Sequence, residues 1–338
     1  MGAVGKTEVV PGPAFPYSIA MRTTFRGISS RAGVVFQGAA GWGEWSPFLD
    51  YSGPELVPWL DAAEEAAELG WPAAVRTVVP VNCTIPAVAP PQAHAMTVES
   101  GCRTAKVKVA ERGQSLTEDL ERVEAVRAAL GPDGRVRIDA NGGWDVDRAL
   151  GALRQLARFD LEYAEQPCGT VEELAELRRA LARAGLAVLL AADESIRRVA
   201  DPYRVAELEA ADVAVLKVQP LGGVRACLEI AERIGLPVVV SSALETSVGI
   251  RAGLALAAAL PELPYACGLN TVALLTDDLA RSPLLAVDGA LPVAQLEVAP
   301  EALARCATDA ATAGFWQARL VETSDRLAAV RSSGVRGG

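Results

Sequence analysis

Histidine occurs once in the 338 residues, as His94. A histidine-based triad, an HExxH zinc site and a histidine general base elsewhere in the chain are thereby excluded. His94 itself lies in "APPQAHAMT", which reads as a solvated, proline-rich connection. Lysine is nearly as scarce: of 32 basic residues only Lys6, Lys106, Lys108 and Lys217 are lysines, and the rest are arginines. The six cysteines (Cys83, Cys102, Cys168, Cys227, Cys267 and Cys306) show no CxxC or zinc spacing. They are expected to be reduced and mostly buried in a cytoplasmic protein. Long apolar runs are missing too. "LAVLLAA", from residue 186, is too short to span a bilayer, and "MGAVGKTEVVPGPAFPYS" has no apolar core of signal-peptide length. A net charge of −10 argues against nucleic acid and anionic membrane as partners. No GxGxxG follows a first strand, which leaves a dinucleotide-binding fold without support.

What remains is a chain that is 51% hydrophobic and 22% charged, enough for a sizeable folded core. "PYSIAMRTTFRG" and "AGVVFQGAAGWGEWS" alternate like antiparallel strands with Gly-rich turns. "GPELVPWLDAAEEAAELG" reads as an amphipathic helix, and "TVVPVNCTIPAVAPPQA" as an extended passage marking a domain boundary. A regular alternation follows. Short apolar strands are expected at 104–109, 135–140, 161–167, 188–195, 213–220, 237–244 and 265–270, with helices such as "EDLERVEAVRAAL", "VEELAELRRALARAG" and "VRACLEIAERIG" between them. Such an array is a parallel βα repeat, and about seven units favour closure into a barrel. The expected organisation is an N-terminal domain over 1–92, a barrel over 93–285 and a C-terminal segment, 286–338, packing back toward the first domain.

In a barrel, catalytic groups come from the C-terminal ends of the strands. The predicted strands carry polar residues there: Lys106 and Lys108, then Asp139 and Asn141, Glu165, Asp193, Lys217, and Ser241 with Ser242. The period of two places Lys106 and Lys108 on one face, and Asp139 and Asn141 likewise. Taken singly, each residue has an ordinary explanation as a strand-end cap, an edge-strand charge or an ion-pair partner. Buried carboxylates at three successive strand ends, however, must bind a metal or pair with cations. Three oxygen ligands without histidine or thiolate select Mg²⁺ over zinc. Asn141 could orient the first ligand, and Glu194 reads as a supporting residue rather than a ligand. Two lysines on one strand, beside a divalent cation, should depress each other's pKa. A lysine lowered in this way can take a proton from a carbon next to a metal-bound carboxylate. Lys217 would face the same cavity from the opposite side.

These motifs, "KVK" (106–108), "DAN" (139–141), "EQP" (165–167), "DES" (193–195) and "KVQPLGG" (217–223), resemble the enolase superfamily in its muconate-lactonizing-enzyme branch. Within it, "GWGEWSPFLDYS", "VPVNCTIPA", "RIDANGGW", "SSALETSVG" and "GLNT" are most similar to the o-succinylbenzoate synthase family. The resemblance implies an α/β fold: a modified TIM barrel, (β/α)7β, with an α+β capping domain built from both termini. It implies Mg²⁺ (with Mn²⁺ tolerated) held by Asp139, Glu165 and Asp193, with Asn141, Glu194 and Arg137 behind them. Lys108 would be the base, Lys106 would tune it, and Lys217 would stabilise developing negative charge. Ser241, Ser242, Trp45 and Phe48 would touch substrate, although packing at a domain interface explains Trp45 and Phe48 equally well.

The implied reaction is a syn-dehydration that yields 2-succinylbenzoate on the way to menaquinone. A lysine on each face also suits an N-succinylamino acid racemase or dipeptide epimerase, and the catalytic residues do not separate the two. Muconate cycloisomerase, a Schiff-base aldolase and a catalytically silent binding protein stand further off. The family often has a second lysine two residues after position 217, where this chain has Gln219. The expected partner is a small carboxylate, and the sequence sets no oligomeric state.

Overall fold

The computed structural model describes residues 10–25, 27–198 and 201–333; Lys6 lies outside them. Strands β1 (Ala14–Phe25), β2 (Ile28–Gln37) and β3 (Trp42–Trp45) form an antiparallel sheet in that order, followed by helix α1 (Val57–Glu68). Next come β4 (Val78–Pro80), β5 (Cys83–Ile85), α2 (Pro90–Glu99), β6 (Thr104–Lys108), α3 (Leu116–Leu130), β7 (Arg135–Asp139), α4 (Val146–Leu156), β8 (Leu161–Glu165), α5 (Val171–Arg183) and β9 (Leu190–Ala192). The short helices α6 (Glu194–Arg197) and α7 (Arg204–Glu207) precede β10 (Val213–Leu216), α8 (Val224–Ile234), β11 (Val238–Val240) and α9 (Ser247–Ala259). β12 (Ala290–Pro292), α10 (Pro300–Cys306) and α11 (Ala310–Ser332) complete the chain.

The strands from β5 to β11 form one sheet in sequential order, and every neighbouring pair in it is parallel. Residues 267 and 268 close the ring, bridging Val81 on one side and Ser241 on the other. A Cβ at Gly268 would meet Ser241 Oγ at 2.6 Å and Ser241 Cβ at 3.3 Å, so the close approach of the two segments favours glycine there. This is the (β/α)7β barrel. Its sheet begins at Cys83, ahead of the boundary expected at residue 93. The passage around His94 is helix α2 rather than a connection. Its prolines stand in the first turn, where a missing N–H costs nothing and φ is already helical. His94 is exposed on that helix.

Two apolar clusters mark the two faces of the barrel sheet. Val107, Ile138, Ala164, Ala192, Leu216 and Val240 point outward to the helices, whereas Tyr163, Ala191, Val213, Val215 and Val239 fill the interior. Alternation of strand side chains then puts the next inward residue of each strand at the C-terminal mouth. The helices start where capping residues allow. Ser115 and Glu118 cap α3 reciprocally, Thr170 and Glu173 do so for α5, and Asp145 caps α4.

The small sheet is sandwiched. One face (Val34, Phe36 and Trp45) packs with Trp59 of α1 and with Trp316 and Leu320 of α11, and the Trp45 and Trp316 rings meet edge to face at 5.7 Å. The other face (Tyr17, Ile19, Met21 and Val35) sits on Leu244, Val248 and Leu275 of the barrel rim. Glu44 locks that contact. Its buried carboxylate accepts the Tyr17 hydroxyl at 2.7 Å, the Ser46 hydroxyl at 2.9 Å, the Thr246 amide at 3.2 Å and the Gly249 amide at 2.9 Å. The Thr246 hydroxyl also donates to it. A side chain of the capping sheet therefore caps the N-terminus of barrel helix α9. A Cβ at Gly249 would meet Glu245 at 2.6 Å and Glu44 Oε2 at 3.2 Å. Glu44→Ala leaves these donors buried without their acceptor and should cost about 3 kcal/mol. Urea unfolding followed by circular dichroism should show a lowered midpoint, whereas an unmoved midpoint would mean that the contact does not hold the two parts together.

Candidate active site

Parallel register sets the catalytic mouth. Lys108 pairs with Asp139 and Asp139 with Glu165 across β6, β7 and β8, so their side chains rise in one layer. Lys106 donates to Asp139 Oδ2 at 2.9 Å and to Glu165 Oε1 at 2.7 Å. Lys108 donates to the same Asp139 Oδ2 at 2.5 Å and to Asn141 Oδ1 at 2.5 Å. Four strands away from Lys106, just beyond β10, Lys217 donates to Asp193 Oδ2 at 2.6 Å. All six charged groups are nearly inaccessible.

The lysine expectation needs correction. Burial works against the Lys106 ammonium, but the charges of Asp139 and Glu165 outweigh it and hold its pKa above the ordinary lysine range. No depression is seen at Lys106, because its ammonium meets two carboxylates before it meets the other lysine. Asp139 is held well below its ordinary value: burial would raise it, and Lys106 and Lys108 prevail. Asp193 is lowered in the same way by Arg197 and Lys217 against burial. Glu165 is pushed up to about 7, first by burial and then by Asp139, with Asp193 adding to the effect. Glu165 therefore feels both of the other carboxylates. Among the described residues, no three acidic, histidine or cysteine side chains already surround a common point as a metal cage, since the ammonium groups take the oxygens.

The loops behind this layer are tightly fixed. Asn141, at φ 47°, donates its amide to Asp139 Oδ1 at 3.1 Å and its side chain to Glu194 Oε1 at 3.2 Å. Gln166, at φ 39°, accepts the Asp193 and Ser195 amides at 3.0 and 3.1 Å and donates to Ser195 Oγ at 2.7 Å. Left-handed φ values just after two of the strand-end carboxylates turn the chain, with the Asn141 amide on Asp139 and the Gln166 side chain on the next loop. Arg197 donates to Asp193 Oδ1 at 2.8 Å and Glu194 Oε1 at 2.6 Å, and also to the Tyr51 hydroxyl. Arg137 occupies a lower layer. It donates to Glu162, to Asn82 Oδ1 at 3.1 Å and to the Ala266 carbonyl at 2.6 Å, and lies over the Tyr163 ring. It plugs the barrel and touches no strand-end carboxylate of the mouth.

A cavity of about 30 Å³ lies between the lysines, lined among others by Lys106, Lys108, Asp139, Lys217, Ser241 and Ser242, and roofed by Phe25 and Phe48 of the capping domain. Ser242 shares a hydrogen bond of 2.7 Å with Thr271. Trp45 is elsewhere, fully buried against Trp316 inside the capping domain, because β3 turns it away from the barrel. Phe48 also lines a second cavity of about 740 Å³, bounded by Arg31, Tyr51, Arg198 and Phe315, and so forms the wall between the two. Gln219, in place of a lysine, donates to the Gly249 carbonyl at 3.0 Å and supports α9. Sequence reasoning missed Gln166, Arg197, Tyr51 and Phe25. Gln166 carried a signal as the middle residue of "EQP", and Tyr51 lay within the quoted "GWGEWSPFLDYS" without being singled out.

Two measurements test these electrostatics in metal-free protein. Asp139→Asn removes the countercharge shared by two buried lysines and should destabilise the fold by about 3–5 kcal/mol in denaturant titrations. A loss below about 1 kcal/mol would mean that the lysines find other partners. At the rim, both Glu245 oxygens accept the Ala243 amide, and burial, then Glu44, pushes this carboxyl up to about 7. A raised carboxyl takes up a proton on folding, so its contribution is full below its unfolded value and is lost as pH rises through the folded one. Between about pH 5 and 7 the wild-type urea midpoint should fall relative to that of Glu245→Gln. Parallel curves would contradict the shift.

Two family models match the chain: Enolase N-terminal domain-like over residues 17–67 and Enolase C-terminal domain-like over residues 90–298. An o-succinylbenzoate synthase of Thermobifida fusca is 62% identical over 304 residues, covering 90% of this chain and 93% of that protein. Another, of Mycolicibacterium smegmatis, is 51% identical over 301 residues, covering 88% and 91%. Among solved structures, muconate lactonizing enzyme from Pseudomonas fluorescens complexed with muconolactone gives a TM-score of 0.73 at 22% identity, covering 88% of this chain and 99% of that one. N-succinyl Arg/Lys racemase from Bacillus cereus gives 0.72 at 20% identity, covering 88% and 97%. At such identity the structures speak for the fold alone.

Proposed function

The chain belongs to the enolase superfamily, with o-succinylbenzoate synthases as its relatives, and from that premise we propose that it converts 2-succinyl-6-hydroxy-2,4-cyclohexadiene-1-carboxylate to 2-succinylbenzoate in menaquinone biosynthesis. It is a hydro-lyase on this reading. The observation that carries the chemistry is the placement of the lysines. All three described lysines of a lysine-poor chain line one small cavity, two on β6 and one beyond β10.

Asp139, Glu165 and Asp193 suit a hard divalent cation: they are buried, all-oxygen, and close enough that Glu165 responds to both of the others. Members of the superfamily generally use Mg²⁺; bound here, it would polarise the substrate carboxylate and acidify the adjacent C–H. With these carboxylates taken by such an ion, Lys106 and Lys108 would be free of their present partners, so that Lys108 could pass its proton to solvent and serve as a base. Lys108 Nζ then takes the proton from the carbon next to the carboxylate. The electron pair of that bond forms the ring double bond as the neighbouring C–O bond breaks. The hydroxyl leaves as water with the proton Lys108 has taken. Lys217 stays an ammonium and faces the negative charge that builds on the carboxylate. Lys106, between Asp139 and Glu165, tunes Lys108 and helps orient the carboxylate. Ser241 and Ser242 bound the substrate's other end. A cavity of about 30 Å³ is far smaller than this substrate, and Phe48, which lines both this cavity and its larger neighbour, is the side chain whose movement would join the two.

The test is the absorbance change when protein, MgCl₂ and the cyclohexadiene are mixed. Conversion should be fast, abolished by EDTA, and reduced at least ~10³-fold in Lys108→Ala, which loses the group that takes and returns the proton. Lys217→Ala should also lower turnover while sparing substrate binding. Near-normal turnover in Lys108→Ala would remove it from this role. No conversion by wild type, with turnover of N-succinylamino acids instead, would move the reading to racemisation.

A further inference from the structure

The capping segment and the metal-ligand loop are joined by one buried guanidinium. Arg197 has its three kinds of nitrogen on three partners: Nε on Asp193 Oδ1, one terminal nitrogen on Glu194 Oε1, the other on the Tyr51 hydroxyl. Asp193 is fully buried, Tyr51 is 3% exposed and Arg197 7% exposed. Asp193 Oδ1 thus faces Arg197, while Oδ2 faces Lys217, which lines the cavity. The neighbouring Arg198 lies over the Tyr51 ring at 4.4 Å and pairs with Asp50 at 2.6 Å. Arg319 of α11 fixes the same segment from behind, donating to the carbonyls of Pro47, Phe48 and Tyr51 at 3.2, 3.0 and 2.6 Å. The Tyr51 ring also packs edge to face on Trp59 at 5.2 Å. Tyr51 is therefore rigid in the capping domain, and Arg197 is rigid beside Asp193.

We infer that Arg197 and Tyr51 are positioning residues through which the seating of the capping segment and the affinity of the carboxylates for a divalent cation are coupled. The inference rests on the proposed metal-dependent reaction. A planar fork fixes both the rotation of the Asp193 carboxylate and the distance of Tyr51 from it, which a point charge would not do. A carboxylate held by its outer oxygen presents the inner one without loss of rotamer freedom, and partners of this kind set metal affinity. Coupling is reciprocal: seating Tyr51 strengthens cation binding, and the cation strengthens the seating.

Calorimetric titration of the full chain with MgCl₂, alongside thermal unfolding, tests this without recourse to turnover. Tyr51→Phe keeps the ring packing and should weaken Mg²⁺ binding several-fold with unfolding temperature little changed. Arg197→Lys keeps the charge but loses the fork and should weaken it ~10–100-fold. Because Tyr51 acts through Arg197, the double variant should bind Mg²⁺ as Arg197→Lys does. Unchanged affinity in Tyr51→Phe, or strictly additive losses in the double variant, would overturn the coupling. A wild-type protein that does not bind Mg²⁺ would instead overturn the metal-dependent reading beneath it. Should Arg197→Lys fail to fold, Arg197→Gln and the Tyr51→Phe titration carry the same decision.

Discussion

Every part of the mouth depends on keeping buried carboxylates compensated. Asp139, Glu165, Asp193 and Glu194 face Lys106, Lys108, Lys217 and Arg197, and each acid lies within hydrogen-bonding reach of at least one of these cations. An uncompensated carboxylate in this setting would be neutralised or would unfold the site. Four acids meet four cations in a closed ion-pair network, whose charges cancel once Glu165, pushed up to about 7, is ionised. A divalent cation entering it adds two positive charges, and the proposed substrate, with two carboxylates, restores the balance. The same cancellation explains why Lys106 is firmly charged here. Lys108 shares Asp139 with it, so the basic role proposed for Lys108 would become available only when something else takes that carboxylate.

The barrel supplies this arrangement through period and register alone. Inward positions on each strand carry small or apolar residues low in the barrel and polar ones at its mouth, as in Tyr163 below Glu165, Ala191 below Asp193 and Val215 below Lys217. Arg137 and its register partner Lys106 are exceptions, buried cations one layer below the mouth, and Arg137 is balanced by Glu162 and by the faces of Tyr163 and Tyr265. Precision at the top comes from the turns. Gln166 reaches from the end of β8 to the amides of Asp193 and Ser195, so the second and third carboxylates are set by one side chain.

The polar strand ends were legible in the sequence because a period of two, an apolar background and the rarity of lysine all mark the same residues. Arg197 was hidden for the opposite reason: in a chain that writes arginine almost everywhere, one more carries no signal. Tyr51 lies 146 residues from it, and Glu44 lies 202 from Thr246. Contacts of that span leave no local pattern. Trp45 and Phe48 read alike as bulky residues of one segment, yet the strand ends at Trp45 and only Phe48 reaches the cavity. The proline pair at 90–91 suggested a connection because prolines break helices in their interior, whereas these stand at the start of one.

The scarcity of lysine finally has a physical reading. Cations whose task is to hold backbone are arginines. Arg31 donates to the carbonyls of Leu244, Ser46 and Ala243, Arg122 to those of Val88 and Lys108, and Arg319 to three in the capping segment. A fork with five donors suits several carbonyls at once, and a guanidinium never gives up its proton. That permanence is an asset in a brace and a defect in a base. Arg122 even fixes the main chain of Lys108, while the side chain of Lys108 is left to do what an arginine could not. On the proposed reading the division separates structure from chemistry by residue type: where a positive charge must spread over several carbonyls the chain uses arginine, and the lysines are kept for the cavity, where Lys108 would move a proton.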